Sequence, residues 1–186
     1  MPRRPRQVSP EAIYHVTARG NRRQEIFFDD GDRHRFLRLL AVEARRGEWQ
    51  LFAYCLMPNH YHLVLNAPRA DLSTALQRLN GGYAQWFNEV HGLDGHLFQG
   101  RFHSVAVESQ WHLIELSRYL ALNPVRARLC ATAAEWAWSS YRATAGLSRR
   151  GVFDPAHVLR LFAPQPSDAR RRYARFVAEG VTAAVA

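Results

Sequence analysis

Residues 50–65 read QLFAYCLMPNHYHLVL and hold the clearest structural signal in the chain. They contain two runs rich in apolar and aromatic residues, Gln50 to Met57 and His60 to Leu65, and both runs are typical of β-strands. Pro58-Asn59 between them favours a tight turn, and a turn this short joins antiparallel strands. The stretch therefore predicts a β-hairpin.

The segments on either side of the hairpin predict the other elements. Branched and aromatic residues predict two further strands, at Tyr14 to Ala18 and at Phe102 to Val107. Helical spacing of apolar residues predicts three helices: from the cap at Asp29 to Gly47, from Leu72 to Val90, and from the cap at Ser109 to Asn123, where Pro124 is expected to end the helix. The order β-α-β-β-α-β predicts an α+β fold, a ferredoxin-like antiparallel sheet with both helices on one face.

The length of 186 residues suits one domain with a small addition. We expect a main domain over residues 1–128 and a helical or irregular C-terminal appendage over 129–186 that packs on it and ends in a mobile basic tail after about residue 164. The five tryptophans are expected to lie in the core; they are Trp49, Trp86, Trp111, Trp136 and Trp138.

The charge indicates a polyanionic partner. The chain carries 25 basic and 16 acidic residues, a formal net charge of +9, and every basic residue is Arg. The absence of Lys excludes Schiff-base chemistry and phosphate-binding P-loops. Nucleic acid is a better partner than a membrane, because no long basic amphipathic helix is evident. Arginines cluster in residues 1–23, along Arg101 to Arg150, and at Arg170 to Arg175.

Other features bound the cellular context. No apolar run is long enough to span a membrane, and no apolar segment follows the basic N-terminus as it would in a signal peptide. Cys55 and Cys130 form no disulfide framework. A cytoplasmic, nucleoid-associated protein is therefore expected.

The third predicted strand carries a candidate metal site. Residues two apart in a strand point to the same face, so His60 and His62 share one face while Tyr61, Leu63 and Leu65 take the other. Two imidazoles this close are able to hold one divalent ion. A zinc site that adds Cys55 is the alternative.

The third predicted helix carries a polar stripe that completes the site. Tyr119 and Asn123 lie one turn apart, and Glu115 and His112 continue the same face. Tyr119 is a candidate nucleophile, and Asn123 is a candidate third ligand with Glu115 as its rival. Two imidazoles and an amide oxygen leave positions open on Mg²⁺ or Mn²⁺, and such an ion polarises a phosphate for attack by the phenolate.

The chain resembles a known family in five blocks. They are YHVTARGNRR at 14–23, MPNHYH at 57–62, FQGRF at 98–102, RYLALNPVRA at 118–127 and WSSYR at 138–142, and they span roughly residues 9–142. On these blocks it is similar to the single-tyrosine HUH transposases, most closely to the REP-associated branch. Tyr61 replaces the usual aliphatic residue between the histidines, and Asn123 stands where other members have Gln.

The resemblance implies an activity. Members cut and rejoin single-stranded DNA with a divalent metal, and the REP-associated branch acts on short palindromic hairpins. Carried over by position, His60, His62 and Asn123 are metal ligands and Tyr119 is the nucleophile that forms a phosphotyrosine. Residues 1–128 would then be the catalytic domain, in a monomer or a homodimer.

A further set of residues is predicted to contact DNA through phosphates or base edges; it comprises Arg19, Asn21, Arg22, Arg23, Arg101, His103, Arg126 and Arg128. Three alternatives remain open. A domesticated family member would still cut DNA but would regulate or process repeats rather than mobilise them. A binding module for single-stranded nucleic acid on the same fold would need no chemistry. A nuclease that uses water would need the histidines but not Tyr119.

Overall fold

Four antiparallel strands form the central sheet in a computed structural model that describes residues 9–69, 71–148 and 152–182. The strands are β1 (Ile13–Arg19), β2 (Gln50–Met57), β3 (His60–Asn66) and β4 (His103–Ala106). Their order across the sheet is β2-β3-β1-β4, with every neighbouring pair antiparallel. The predicted hairpin and the two further strands are confirmed, with β1 inside the sheet and β4 at its edge.

Strand alternation separates the two faces of the sheet. Tyr61, Leu63 and Leu65 point to one face, where they join an apolar core with helices α1 (Asp30–Gly47) and α2 (Leu72–His91). Val64 lies between Leu63 and Leu65 in β3 and points to the other face, where it packs in a second apolar cluster with the third helix. The predicted arrangement, with two helices on one face, is confirmed, and the histidine pair is left on the other face.

A capping box fixes the start of α1. The Asp29 side chain accepts a hydrogen bond from the Asp32 backbone N–H at 2.9 Å, and the Asp32 side chain accepts one from the Asp29 N–H at 3.3 Å. Buried Asp32 also contacts His91 Nε2 at 2.9 Å, at the far end of α2. These bonds tie the two helices together below the sheet.

Helix α3 runs from Gln110 to Arg126 and is capped by Ser109, whose hydroxyl accepts from the His112 N–H at 3.1 Å. The prediction that Pro124 ends this helix is wrong. Proline removes one N–H donor, but the ladder resumes beyond it because the Ala127 N–H donates to the Asn123 carbonyl at 3.0 Å. Asn123 is therefore held in regular helix, one turn from Tyr119.

The C-terminal segment is more regular than predicted. It contains two short helices, α4 (Tyr141–Thr144) and α5 (Ala156–Leu159), and a long one, α6 (Pro166–Thr182). The expected mobile tail after residue 164 is thus mostly helix. The reason is an apolar stripe of Ala169, Tyr173 and Val177, all buried in the cluster shared with α3.

The tryptophans divide into three groups. Trp49 is buried, while Trp86, Trp136 and Trp138 are partly buried and pack against the apolar clusters. Trp111, expected in the core, is 65% exposed on the first turn of α3. It is displaced because Leu113, Leu116 and Leu120 form the buried face of that helix.

Phe36→Ala is expected to destabilise the domain by about 3–5 kcal/mol. Phe36 is fully buried, and its ring meets those of Phe27, Tyr61 and Tyr83 at centroid distances of 5.5, 4.7 and 5.3 Å. Urea unfolding measures the loss. Phe28→Ala is the matched control, because Phe28 is half-exposed and its removal should cost far less. Equal losses in the two variants would contradict this account of the core.

Candidate active site

The histidine pair lies on the face of the sheet that packs against α3. His60 and His62 have ring centroids 4.9 Å apart and planes at 81°. Strand register places Arg19 opposite His60 and Thr17 opposite His62. These residues line a cleft of about 490 Å³ between the end of β1 and the loop before β4. The face that the sequence predicted for the pair is therefore confirmed.

Each histidine is held through the same ring nitrogen. His60 Nδ1 contacts Asn59 Oδ1 at 2.7 Å, and His62 Nδ1 contacts His15 Nε2 at 2.9 Å. His62 Nε2 is buried and has no hydrogen-bond partner among the described residues. Because Asn59 Oδ1 only accepts, His60 Nδ1 donates and its Nε2 keeps a lone pair for another ligand. Between His62 and His15 either nitrogen is able to donate, and the His62 Nε2 lone pair is free in the tautomer in which His62 Nδ1 donates.

Burial keeps both imidazoles neutral. It lowers the pKa of His60 to about 4, with Arg19 adding to the effect, and it lowers the pKa of His62 to about 3, helped by His60, His15 and Arg19. At neutral pH both rings are therefore uncharged. The neutral form is the one that binds a metal ion.

Tyr119 lies beside this pair. Its ring meets the His62 ring edge-on, at 88° and a centroid distance of 5.8 Å, and the side chain is 39% exposed. The Arg126 guanidinium carbon lies 5.5 Å from the centroid of the tyrosine ring. Tyr119 and Arg126 line a shallow pocket of about 290 Å³ with His112 and Glu115. A phenol and a cation therefore lie beside His62.

The two candidates for a third ligand differ in their contacts. The Asn123 amide nitrogen is buried without a hydrogen-bond partner in the described part of the chain. Glu115 instead forms an ion pair with Arg118 on the next turn. A buried amide without a partner is costly unless something binds it. The unpaired group of Asn123 is thus an N–H donor, whereas a metal ion would bind the amide oxygen of the same side chain.

These residues fit a divalent ion better than a zinc cluster. No group of three or more His, Cys, Asp or Glu side chains in the described ranges is arranged to hold a metal. Cys55 lies opposite His62 across the hairpin, but its thiol is buried in the second apolar cluster, where it contacts Met57 Sδ at 3.7 Å. Two neutral imidazoles with an amide match an open Mg²⁺ or Mn²⁺ site, and the buried His62 Nε2 is the atom that such an ion would satisfy.

Only some of the residues predicted to contact DNA lie at the cleft. Arg19, Arg101 and His103 line the cleft itself. Arg22 and Arg23 lie exposed in the 3-10 turn after β1, and Arg128 lies exposed beyond α3. Asn21 lines a separate cavity next to α2. Arg3, Arg4, Arg6, Arg149 and Arg150 from the basic clusters lie outside the described residues.

His15 was missed as a site residue. It lies in the first motif block, two residues before Thr17, so strand register places it diagonal to His62 on the same face. The rings stack at 5.1 Å as well as sharing the 2.9 Å contact. Alternation alone identifies its face, but its pairing with His62 depends on the register between β1 and β3, which the sequence left open.

Comparison with known proteins identifies the family. Residues 9–123 match the family model described as Transposase IS200 like. The chain belongs to the IS200-like transposase family. The match ends at Asn123 and includes the histidine pair and Tyr119, so the family predicted from the motif blocks is confirmed.

Solved structures confirm the fold of this transposase-family chain. A REP-associated tyrosine transposase bound to a REP hairpin superposes with a TM-score of 0.64 at 18% identity, covering 82% of this chain and 90% of that one. A putative transposase from Deinococcus radiodurans also matches, at 18% identity over 69% of this chain and 92% of that one. Its TM-score of 0.44 is too low to support the fold assignment. No curated protein matches the chain. Among the described residues, no helix is long and apolar enough to cross a membrane.

Proposed function

We propose that this transposase-family chain is a metal-dependent endonuclease and strand transferase for single-stranded DNA, acting at repetitive palindromic hairpins through a phosphotyrosine at Tyr119. The observation that carries the proposal is the Tyr119 ring against His62, whose Nε2 is buried and unpartnered among the described residues. The neighbour of TM-score 0.64, a REP-associated tyrosine transposase bound to a REP hairpin, supports the choice of substrate.

The metal would be held by His60 Nε2, His62 Nε2 and the side-chain oxygen of Asn123. When bound, Mg²⁺ or Mn²⁺ supplies positive charge that polarises the scissile phosphate. The chain's own contribution is to keep both imidazoles neutral and to hold their Nδ1 atoms through Asn59 and His15. With His62 Nδ1 as the donor to His15, this arrangement leaves both Nε2 lone pairs for the ligand.

The chemical step transfers a phosphoryl group to the protein. Tyr119 Oη loses its proton to solvent and attacks phosphorus, the phosphorus–O3′ bond breaks, and the 3′ oxygen takes a proton and leaves as a hydroxyl. The DNA is then bonded to Tyr119 through its 5′ phosphate. Attack by another 3′ hydroxyl reverses the step and joins two strands without an external energy source, because the phosphodiester bond is conserved as a phosphotyrosine.

The surrounding arginines would position the substrate. Arg126 lies against the Tyr119 ring, and Arg19 and Arg101 line the histidine cleft. A strand that crosses the cleft would meet all three cations with its phosphates. Positioning and charge neutralisation account for most of the rate enhancement in phosphoryl transfer.

A denaturing gel tests the proposal directly. End-labelled hairpin DNA with single-stranded flanks, taken from repeats near the gene, is incubated with protein and Mn²⁺ and then denatured in detergent. A labelled band that migrates with the protein and disappears with EDTA supports the mechanism. Hairpin binding without cleavage would favour the non-catalytic binding module.

Asn123→Ala is expected to weaken Mn²⁺ binding at least about tenfold, whereas Glu115→Gln should change it less than about threefold. The reason is that the Asn123 side-chain oxygen is the proposed ligand, whereas the Glu115 carboxylate is already engaged by Arg118. Isothermal titration with Mn²⁺ measures both. A larger loss of Mn²⁺ affinity in Glu115→Gln than in Asn123→Ala would identify Glu115 as the third ligand.

A further inference from the structure

A cavity of about 750 Å³ lies behind the loop that borders the histidine cleft. One wall is a stripe of α2 that includes Gln77, Asn80 and Gly81, and the other is the segment 95–102. The cavity is distinct from the cleft, and none of the predicted metal ligands lines it.

The cavity and the cleft share one rim. Gln99, Gly100 and Arg101 line both of them. The backbone on either side of this rim is held to the end of β1: the Asn21 N–H donates to the Leu97 carbonyl at 2.8 Å, and the Gln99 N–H donates to the Arg19 carbonyl at 2.9 Å. A DNA strand that occupies the cleft therefore needs to cross only this rim to enter the cavity.

Gly20 makes this attachment possible. A Cβ on Gly20 would lie 2.1 Å from the Gln24 carbonyl oxygen, so no larger residue fits. Gly20 also bridges to Phe98 in the rim segment. The wall between the two spaces is thus built on the strand that carries Arg19 and His15.

The cavity is lined by amides over an apolar floor. Asn80 Oδ1 accepts a hydrogen bond from the buried Tyr61 hydroxyl at 2.8 Å, which leaves the Asn80 NH₂ group free to donate. The Gln77 and Gln99 amides form no hydrogen bond within the described part of the chain. Leu76 and Phe98 supply apolar surface between these polar groups.

We infer that this cavity binds one unpaired nucleobase of the DNA strand that occupies the cleft, and that it selects a purine. Amide side chains pair with the N6–N7 edge of adenine, and Arg101 on the rim suits the O6–N7 edge of guanine. An aromatic ring beside a flat base adds stacking. The inference rests on the proposed function, because it takes the strand in the cleft as its source of the base.

The test is a base scan of the flanks of a hairpin. The probe is a DNA hairpin with an oligothymidine extension on its 5′ or 3′ side, in which a single dA or dG replaces thymidine at each position in turn. Fluorescence anisotropy with wild-type protein should find one position where a purine raises affinity about tenfold. No positional preference, or a preference for a pyrimidine, would overturn the inference.

Two neighbouring glycines provide matched variants. A Cβ on Gly81 or Gly82 would meet no atom within 4 Å, and both lie in α2, but only Gly81 lines the cavity. Gly81→Leu fills the cavity and should abolish the purine preference. Gly82→Leu should retain it. Equal behaviour of the two variants would remove the cavity from base recognition.

Asn80→Asp gives a second, independent readout. The carboxylate still accepts from the Tyr61 hydroxyl, but the NH₂ donor is lost, so the preference for dA should fall without loss of the fold. Adduct formation across the series of purine-bearing hairpins separates the two proposals. Equal adduct yield on every member and on the plain oligothymidine hairpin would overturn the cavity's role alone, whereas absence of an adduct on every member would overturn the proposed function as well.

Discussion

Tyr119→Phe is expected to abolish the denaturation-resistant adduct and to lower strand cleavage at least about 10³-fold, while hairpin affinity stays within about threefold of wild type. The phenolic oxygen is the atom that would bond to phosphorus, and phenylalanine has no replacement for it. Phenylalanine does keep the ring-edge contact with His62 and the cation–π contact with Arg126. Gel assays of adduct and cleavage, beside anisotropy for binding, measure these outcomes.

The fold should tolerate this substitution. The Tyr119 side chain is 39% exposed, so loss of its hydroxyl leaves no buried polar group unpaired and should change stability by less than about 0.5 kcal/mol. Tyr54→Phe is the matched control, because Tyr54 packs against the core near Phe153, away from the histidine cleft, and should keep full activity. Cleavage that persists in Tyr119→Phe would instead indicate a nuclease that uses water.

His62→Ala is expected to weaken Mn²⁺ binding at least about tenfold and to lower cleavage at least about 10²-fold. The variant removes the Nε2 atom that is buried without a described partner, and it leaves His15 without its ring contact. Isothermal titration with Mn²⁺ and the cleavage gel report the two losses separately. Hairpin binding in EDTA should persist, because the arginines around the cleft remain.

The melting temperature of His62→Ala shows whether the variant is folded, which needs checking because His62 is only 6% exposed. His60→Ala is the companion variant, because His60 is half-buried and its removal disturbs the core less. His34→Ala is the control histidine, exposed on α1 against Trp138. Undiminished Mn²⁺ binding in both cleft variants would remove the histidine pair from the metal site.

Much of the fold could be predicted because its signals are local. The predicted strand Gln50 to Met57 coincides with β2, and the turn at Pro58-Asn59 leads directly into β3. Alternation along β3 separated the histidines from Tyr61, since neighbouring side chains of a strand must point to opposite faces. The Leu113, Leu116 and Leu120 stripe likewise oriented α3 so that Tyr119 lies outside the apolar core.

Errors arose where a local rule competed with packing. A proline predicted a helix end, but a single missing donor is tolerated when the following turn re-forms its bonds. A basic composition predicted a mobile tail after residue 164, but Tyr173 and Val177 recur at helical spacing and are buried with α3. Trp111 is exposed since α3 already presents leucines to the core.

Contacts between distant segments account for the rest of the site. The motif blocks contain both histidines, Tyr119 and Asn123. Strand and helix periodicity then assigned each of these side chains to a face of its element without knowledge of the fold. The contact of His15 with His62 depends on which residues of β1 and β3 pair, and the ring contact of Tyr119 with His62 depends on how α3 packs on the sheet. The cavity behind Gln99 arises where the end of β1, helix α2 and the segment before β4 meet. Such contacts follow from long-range packing, which periodicity along the chain does not encode.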